Sequence, residues 1–474
     1  MFQIDSVQAN STSVGFHAAW TYRTFVLLLF LLGLHISIGC STKNQTEKDR
    51  LPNIIYIMAD DLGYGDIGSY EQAIIQTPRL DRLAEEGMRF TNHYAGHTVC
   101  RCSRLSLWTG YHTGHLPIQG NAKYTLEPQA ITVAKLLKQK GYVTGGVGKW
   151  SLGDTSSLGH PNKQGFDFWM GYLDQSDAHN YYPTHLWRNY EVVPLAGNVL
   201  SDNPEDRGRV ATQKETYAHD LITEEALAFI RRNAEKPFLL HIHWTLPHAN
   251  NEAGRATGDG MEIPDYGIYA KREWPAQEKG FAAMVSRLDG DVGRIVDLLD
   301  ELNLRQNTLV IFTSDNGPHE EGGHQHEFFN SNGALRGLKR DLYEGGIRVP
   351  FIAVWPGHIQ EKSTSDYPSA FWDYLPTACE IAGVDYPKNL DGISYLPALL
   401  GKQQKEHDYL YWEYEEQGRH KAAVRAGNWK AVLPGTKEPV ELYDLSVDSQ
   451  EQNNLAAKQP EILAGMVKII EEMK

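Results

Sequence analysis

The sequence predicts an α/β protein with a mostly parallel central sheet sandwiched by helices. A smaller C-terminal α+β domain with a short antiparallel sheet is expected to follow. Two observations predict this fold: apolar runs alternate with helix-like segments up to about residue 386, and short aromatic runs replace that pattern afterwards. Alternating strands and helices are typical of a parallel sheet covered on both faces. We therefore expect a main domain over residues 51–386 and a C-terminal subdomain over residues 387–474.

The individual elements follow from the spacing of apolar residues. Strands are predicted for the apolar runs 53–58, 142–150, 238–244 and 308–313. Helical spacing predicts a helix that opens at Thr77-Pro78 and further helices over 131–141 and 281–302. In the C-terminal part, YLYWEY, AAVRAGNWKAVL and VELYDL predict strands, and residues 460–474 predict a helix. Ligands of such sheets bind beyond the carboxyl ends of the strands, so functional residues are expected there.

The N-terminus predicts export. Arg23 precedes an apolar run over residues 25–39. This run is shorter than the about 20 residues of a transmembrane helix and suits a secretory signal. Ser37-Ile38-Gly39-Cys40 resembles a bacterial lipoprotein cleavage box, and a plain signal peptide with an incidental cysteine is the alternative. We expect a signal over 1–40, a tether over 41–50 and a location in the periplasm or cell envelope, with Cys40 as a membrane lipid anchor.

Composition argues against nucleic-acid binding and leaves two of the four cysteines without a structural explanation. Lys and Arg number 45 against 60 Asp and Glu, and the net charge of −15 argues against nucleic-acid binding, which needs basic patches. The four cysteines are Cys40, Cys100, Cys102 and Cys379, too few for a disulfide framework. Cys40 is assigned to lipid and Cys379 to a buried apolar position. Cys100 and Cys102 therefore need another explanation.

Polar side chains follow two of the predicted strands. Asp60 and Asp61 come after the run 53–58, and Asp315 and Asn316 come after the run 308–313. Four oxygen ligands just past two parallel strands would form a cage for a hard divalent cation. Calcium, which takes about six to eight oxygens in flexible geometry, suits this set better than zinc. Either motif alone is weak, because Asp-Asn-Gly is also an ordinary turn.

The segment TVCRCSRLSLWTGYHTGH, residues 98–115, resembles the signature of the type I sulfatases. In that signature, Cys-x-Pro/Ala-Ser-Arg is followed by x-x-Leu-x-Thr-Gly. Further matches to this formylglycine-dependent, arylsulfatase A-like family occur in order along the chain: LPNIIYIMADDLGYGDIG, TPRLDRLAEEGMRFTNHYA, GYVTGGVGKW, KQGFDFWMGYLDQ, WTLPHAN, TSDNGPH and LRGLKRDLYEGGIRVPFIAVWPG. The resemblance covers residue 51 to the C-terminus. It implies the fold of the alkaline-phosphatase superfamily and hydrolysis of a sulfuric ester of a carbohydrate or aryl alcohol.

The resemblance also implies roles for individual residues, beginning with Cys100, which a formylglycine-generating enzyme would oxidise to the formylglycine nucleophile. The implied catalytic residues are Cys100, Arg104, Lys149, His248 and Lys339. The implied calcium ligands are Asp60, Asp61, Cys100, Asp315 and Asn316. The residues implied to contact the substrate, a sulfated glycan or small sulfate ester, are Lys149, Ser151, His179, His248 and Lys339. Arg104 would hold the nucleophile and the metal shell, and the other cationic residues would balance negative charge in the transition state.

Three of the implied roles have ordinary alternatives. Outside the motif context, Lys149 and Lys339 would be interpreted as surface lysines, the usual case for this residue type. His248 would be interpreted as a packing or capping residue.

Two departures from the family pattern keep other functions open. Cys102 replaces the usual Pro or Ala, and Ser151 replaces a histidine that helps to orient and ionise the nucleophile. One alternative is therefore a catalytically impaired sulfatase-like protein that binds sulfated glycans. The other is a phosphoester hydrolase of the same superfamily. Such enzymes usually carry Ser or Thr and two zinc ions with several histidine ligands, and the acidic set of this chain speaks against them.

Overall fold

The computed structural model describes residues 50–473 of the chain. The predicted signal over 1–40, the predicted anchor Cys40 and all but the last residue of the predicted tether over 41–50 lie outside these residues. Residues 51–474 form one compact unit. Among the helices of the described part, none has the length and apolar character needed to cross a membrane.

The strands of the described residues fall into one large sheet and three small ones. In chain order they are β1 (Asn53–Ala59), β2 (Met88–Phe90), β3 (His93–Tyr94), β4 (Val143–Lys149), β5 (Phe168–Tyr172), β6 (His185–Arg188), β7 (Glu191–Pro194), β8 (Val199–Leu200), β9 (Ala211–Gln213), β10 (Phe238–His243), β11 (Thr308–Ser314), β12 (Phe351–Val354), β13 (Ser363–Ser365), β14 (Ser369–Ala370), β15 (Leu410–Glu416), β16 (Arg419–Ala426), β17 (Trp429–Leu433) and β18 (Glu441–Asp444). The strands predicted from apolar runs are thus present, with bounds within about two residues.

The central sheet has ten strands in the order β13-β2-β12-β11-β1-β10-β4-β5-β6-β7. Its middle strands β11, β1, β10, β4 and β5 are parallel, whereas β12 and β6 join them antiparallel. A separate antiparallel sheet contains β15–β18. Both parts of the predicted fold class are therefore confirmed. The domain boundary at residue 387 stays a prediction: Tyr395 and Leu399 pack in a core cluster of the central sheet, and the antiparallel sheet begins at Leu410.

Helices cover both faces of the central sheet. In chain order they are α1 (Pro78–Glu85), α2 (Cys100–Thr109), α3 (Val133–Gln139), α4 (Ala218–Arg232), α5 (Asn251–Thr257), α6 (Ala276–Glu301), α7 (His326–Phe329), α8 (Glu344–Ile347), α9 (Tyr374–Ala382), α10 (Leu396–Leu399) and α11 (Pro460–Glu472). Apolar residues of α1, α4 and α6 share one core cluster, and those of α2, α3 and α9 share another. The predicted three-layer arrangement follows from this division.

Strand β1 shows how the two cores are separated. Ile55 and Ile57 belong to the cluster beneath α4 and α6, whereas Ile54 and Tyr56 belong to the cluster beneath α2 and α9. Successive side chains of a strand point to opposite faces, so a fully buried strand must be apolar on both. Because both faces of β1 are buried, consecutive polar residues can follow it only beyond the end of the sheet.

Candidate active site

The carboxyl ends of β1 and β11 bring the predicted acidic residues together. Ala59 pairs with Ser314 in a parallel register, so the residues that follow each strand are neighbours. The backbone N–H of Asp61 donates to Oδ1 of Asp315 over 3.1 Å, and Nδ2 of Asn316 donates to Oδ1 of Asp61 over 2.7 Å. Asp60, Asp61, Asp315 and Asn316 are all fully buried. The structure thus collects the four predicted oxygen donors.

Cys100 is the first residue of α2, and its side chain points into this acidic cluster. Its Sγ donates to Oδ1 of Asp60 over 3.2 Å and lies 3.8 Å from Oδ1 of Asp61. Ligand atoms of Asp60, Asp61, Cys100 and His248 all lie within 4.8 Å of one another. The resemblance implies that His248 is a catalytic and substrate-contacting residue and not a calcium ligand, so its place beside the acidic ligands is additional information.

The pKa values of the cluster are set by burial, by like charges and by the cations that surround it. Burial and the neighbouring Asp60 raise the pKa of Asp315 to about 7. Burial also acts to raise the pKa of Asp60, but Lys149 and Arg104 outweigh it and hold that pKa well below its usual range. Burial, and then Asp315 and Asp60, raise the pKa of the Cys100 thiol. A group of negative charges held this closely gains from any cation placed among them.

Arg104 lies one helical turn after Cys100 and is fully buried. Its Nη2 and Nε donate to Oδ2 of Asp315 over 2.7 and 3.0 Å, and Nη2 lies 3.3 Å from Oδ2 of Asp60. Its Nη1 donates to the carbonyl oxygen of Lys149 over 3.1 Å. Arg104 therefore links the two acidic strand ends to β4.

Lys149 is the last residue of β4 and is not a surface lysine. It is 1% exposed, and its Nζ donates to Oδ2 of Asp60 over 2.7 Å. The preceding Gly148 has φ of 97°, and a Cβ there would lie 1.9 Å from the carbonyl oxygen of His243 on β10. Only glycine allows this approach of the two strands. The glycine-rich sequence of β4 therefore places Lys149 at the acidic cluster.

Lys339 and His248 close the opposite side of the cluster. Lys339 Nζ donates to Oδ2 of Asp61 over 2.6 Å, and it lies 3.1 Å from Oε2 of Glu321 and 3.3 Å from Nε2 of His248. Burial acts to lower the pKa of Lys339, but Asp61 and Glu321 outweigh it and raise that pKa. Burial and Lys339 lower the pKa of His248 to about 3. A protonated lysine and a neutral histidine therefore face the same space.

The two remaining predicted substrate residues differ in their surroundings. The His179 ring stacks on His248 with centroids 4.8 Å apart, and its Nδ1 lies 3.1 Å from Oε2 of Glu252. Ser151 is buried with φ of 73°, and its hydroxyl has no hydrogen-bond partner within residues 50–473. His179 is thus in contact with the cluster, whereas the Ser151 hydroxyl bonds to none of its members.

A second group of potential metal ligands lies elsewhere. His112, His115 and Asp391 have ligand atoms within 4.8 Å of one another. The two imidazole rings are stacked, with centroids 4.5 Å apart and planes 22° apart. Ring nitrogens bind a metal in the ring plane, so two stacked rings do not direct their lone pairs at one ion. Asp391 instead joins the two loops by accepting from the backbone N–H of His112 and by its contact with the ring of His115.

Sequence reasoning missed several residues that contact the predicted site. Glu321 accepts from both Lys339 and Arg340. His243, on β10, lies 3.2 Å from Arg104. A signal for this histidine existed, because two histidines occupy alternate positions of the otherwise apolar sequence FLLHIH and must share one face of the strand.

Comparisons with known proteins add a family relationship. A family model described as Sulfatase matches residues 52–384, and one described as N-sulphoglucosamine sulphohydrolase, C-terminal, matches residues 337–474. The chain is 30% identical to an N-acetylgalactosamine-6-O-sulfatase of Bacteroides thetaiotaomicron, covering 94% of this chain and 98% of the relative. It is 32% identical to arylsulfatase A of Homo sapiens, covering 88% of this chain and 86% of the relative.

Solved structures show the same similarity. Ps i-CgsB in complex with k-i-k-neocarrahexaose is 29% identical with a TM-score of 0.77, covering 89% of this chain and 92% of that chain. A solved structure from work on how Bacteroides thetaiotaomicron metabolises multiple glycosaminoglycans is 28% identical to this chain, with a TM-score of 0.72. The match covers 89% of this chain and 99% of that chain. The two family models together match residues 52–474, which include both the central and the antiparallel sheet.

Proposed function

The chain belongs to the sulfatase family and is a sulfatase, and on this premise we propose that it removes sulfate from a sulfated glycan with a nucleophile made from Cys100. The observation that carries the proposal is the contact of Cys100 with the acidic strand ends, Asp60 and Asp61. Two buried lysines and a neutral histidine face the same cluster. These groups are suited to a compact anion that must be cleaved beside a nucleophile.

The donor set fits calcium. Asp60, Asp61, Asp315 and Asn316 offer oxygen atoms from two adjacent strand ends, and Oδ1 of Asn316 is buried without a hydrogen-bond partner among the described residues. An orphaned buried oxygen is costly unless a cation or donor meets it. Zinc prefers nitrogen and sulfur ligands, which are the minority here. Calcium bound by these oxygens would supply Lewis-acid polarisation of the nucleophile and of a sulfate oxygen.

The proposed modification of Cys100 would provide two hydroxyl groups on one carbon, which a thiol lacks. A formylglycine-generating enzyme would oxidise its side chain to an aldehyde, whose hydrate carries one hydroxyl for attack on sulfur and a second for release of sulfate. Arg104 would hold Asp60 and Asp315 around this position. The overall reaction consumes one water and gives the free alcohol and sulfate.

The hydrogen bonds of His248 indicate which of its ring nitrogens carries the proton. Its Nδ1 lies 2.6 Å from the carbonyl oxygen of Ala249, which can only accept, so Nδ1 carries the proton and Nε2 is an acceptor. Lys339 donates to that Nε2. Of these two groups, Lys339 therefore has protons to give to a departing alcohol oxygen, and His248 orients it. Lys149 would pair with a sulfate oxygen from the opposite side.

The substrate class is proposed from the relatives. They include an N-acetylgalactosamine-6-O-sulfatase and a structure in complex with a neocarrahexaose, and both of these ligands are carbohydrates. His179, stacked on His248 and held by Glu252, would contact the sugar beside the sulfate. An exported protein with a signal over 1–40 and a lipid anchor at Cys40 would meet such glycans at the cell envelope.

Release of inorganic sulfate tests the proposal. The purified protein, produced together with a formylglycine-generating enzyme, is incubated with 6-sulfated N-acetylgalactosamine, a carrageenan oligosaccharide, an aryl sulfate and the matching phosphate esters. We expect sulfate release from at least one glycan, and loss of turnover after calcium is chelated. Turnover of phosphate esters alone would contradict the proposal. No turnover by protein with fully converted Cys100 would favour the impaired, glycan-binding alternative that Ser151 keeps open.

A further inference from the structure

A chain of buried polar side chains leads from Arg104 into the core, away from the substrate side. Arg104 Nη1 lies 3.2 Å from Nδ1 of His243, Nε2 of His243 lies 3.2 Å from Nδ1 of His241, and Nε2 of His241 lies 3.0 Å from the hydroxyl of Tyr374. Each of these residues is at most 1% exposed. Buried polar groups need hydrogen-bond partners within the protein, and these four side chains have one another.

Arg104 accounts for the start of the chain. A guanidinium has five N–H donors and no acceptor. Nε and Nη2 meet Asp315 and Asp60, and one N–H of Nη1 meets the carbonyl oxygen of Lys149. The remaining N–H of Nη1 has His243 as its partner within the described residues. His243 is therefore the fifth acceptor of a cation that is completely buried.

This contact fixes the direction of every later hydrogen bond. Because Arg104 can only donate, Nδ1 of His243 accepts and its proton lies on Nε2. That proton is donated to Nδ1 of His241, whose own proton then lies on Nε2 and is donated to Tyr374. The opposite assignment would place an N–H of His243 near the Lys149 carbonyl oxygen, but it would also aim that N–H at Nη1 of Arg104. Two donors facing each other over 3.2 Å are unfavourable.

The surroundings keep both histidines neutral and in place. Burial, and then Arg104, hold the pKa of His243 well below its usual range, and burial does the same for the pKa of His241. Trp108, one turn after Arg104 on α2, stacks on His243 with centroids 4.9 Å apart. Tyr56 stacks on His241 with centroids 5.2 Å apart. Both rings are therefore fixed by stacking as well as by hydrogen bonds.

We propose that His243 is a positioning residue, which fixes Arg104 against Asp60 and Asp315 through a one-way hydrogen-bond chain continuing to His241 and Tyr374. The inference rests on the proposed function in one respect, since Arg104 is taken to hold the acidic strand ends around the nucleophile. His243 itself does not face the substrate side. Its effect on turnover is transmitted through Arg104.

Two substitutions of His243 show whether this residue acts as a hydrogen-bond acceptor or only fills space in the core. His243→Asn keeps an oxygen acceptor near the position of Nδ1, whereas His243→Leu has similar size and no acceptor. We expect His243→Leu to lower kcat by about 10- to 100-fold with KM nearly unchanged, the size of one hydrogen bond to a charged group. His243→Asn should recover most of that loss. The control His93→Leu, at a buried histidine on β3, should leave kcat unchanged. Equal kcat values for wild type and His243→Leu, or equal losses in the Asn and Leu variants, would overturn the proposal.

A tautomer measurement tests the chain without using turnover. Nitrogen-15 NMR of the histidine-labelled wild-type protein should show His241 and His243 both protonated at Nε2, with His241→Leu and His243→Leu assigning the signals. Protonation of either ring at Nδ1 would overturn the one-way chain. If converted wild-type protein had no sulfatase turnover, the proposed function would fail while the tautomers still decided the direction of the chain.

Discussion

Two of the buried clusters of charged residues in the described part of the chain are built differently. The strand-end cluster contains Asp60, Asp61 and Asp315, which come from consecutive or adjacent positions at the ends of β1 and β11. The joint cluster contains Glu344, Lys430 and Glu451, with Nζ of Lys430 2.8 Å from Glu344 and 2.9 Å from Glu451. The joint cluster connects β17 of the C-terminal sheet to α8, which follows the loop of Lys339.

The two clusters differ in the partners of their charged groups. In the strand-end cluster three carboxylates from two strand ends lie among Arg104, Lys149 and Lys339, and Oδ1 of Asn316 has no partner among the described residues. In the joint cluster a cation from one element lies between carboxylates of two others. A buried oxygen without a donor calls for a ligand, whereas a buried ion pair joins elements. The first cluster should therefore control turnover and the second stability.

Replacing the nucleophile should have the largest effect. Cys100→Ala should lower turnover by at least about 10⁴-fold, because removal of a nucleophile abolishes the covalent route. The fold and calcium binding should remain, since the side chain contributes little packing. Sulfate release, circular dichroism and calorimetry with calcium measure the three properties. Cys102→Ala is the matched control and should stay active, because Sγ of Cys102 points to the carbonyl oxygen of Gly120. Turnover in a clean Cys100→Ala preparation would contradict the mechanism.

Breaking the joint cluster should affect stability instead. Lys430→Met leaves Glu344 and Glu451 buried without their shared cation, and removal of one partner of a buried pair costs about 3–5 kcal/mol. We expect the free energy of unfolding in urea to fall by about this amount, with kcat of the folded protein within about threefold of wild type. A large loss of kcat at unchanged stability would show that this cluster acts on the site, and the division between the clusters would be wrong.

Removing a strand-end carboxylate should lower calcium affinity and turnover together. Asp315→Ala deletes an anionic oxygen of the cage and the main partner of Arg104, and we expect a loss of about 10²-fold or more in kcat. Calcium titration and sulfate release on the same preparation measure both effects. Asp289→Asn, at a buried carboxylate that accepts from the backbone of α1, is the control and should change neither. Zinc as the tightly bound native metal, found by elemental analysis, would contradict the calcium cage.

The smallest effect is expected at Ser151. The family histidine at this position helps to ionise the nucleophile, and Ser151→His should raise kcat or shift its pH profile with little change in stability. General acid–base help is typically worth about 10²–10⁴-fold, and we expect less than about tenfold because Lys149, His248 and Lys339 already line the cluster. A stable variant with fully converted Cys100 and an unchanged rate and pH profile would show that Ser151 lies outside the proposed site.

Much of the strand-end cluster could be predicted, because it depends on local order. Parallel neighbouring strands end at the same edge, so Asp60-Asp61 and Asp315-Asn316 are brought together once both strands are identified. Helix α6 was predicted over 281–302 and occupies Ala276–Glu301, starting earlier because Pro275 precedes its first residue. The interpretation of Lys149 and Lys339 as surface lysines is wrong, since both are buried on carboxylates.

The other features of the fold and the site depend on contacts between residues that lie far apart in the sequence. Lys430 meets Glu344 across 86 positions, and neither residue type marks the other. The antiparallel strands β6 and β7, at one end of the central sheet, are short and partly exposed, so they lack the continuous apolar run of the middle strands. The histidines of β10 carried a signal in their alternation, but Arg104 as their partner becomes visible only when α2 is packed on the sheet.

Mass spectrometry of the peptide that contains Cys100 shows directly whether the proposed nucleophile is present. The protein is produced with a formylglycine-generating enzyme that converts a known sulfatase in the same cells, and turnover is measured on the same preparation. The account predicts an aldehyde, or its hydrate, at Cys100, with turnover proportional to the converted fraction across preparations. An unmodified Cys100 thiol in a preparation that releases sulfate from its substrate would contradict it.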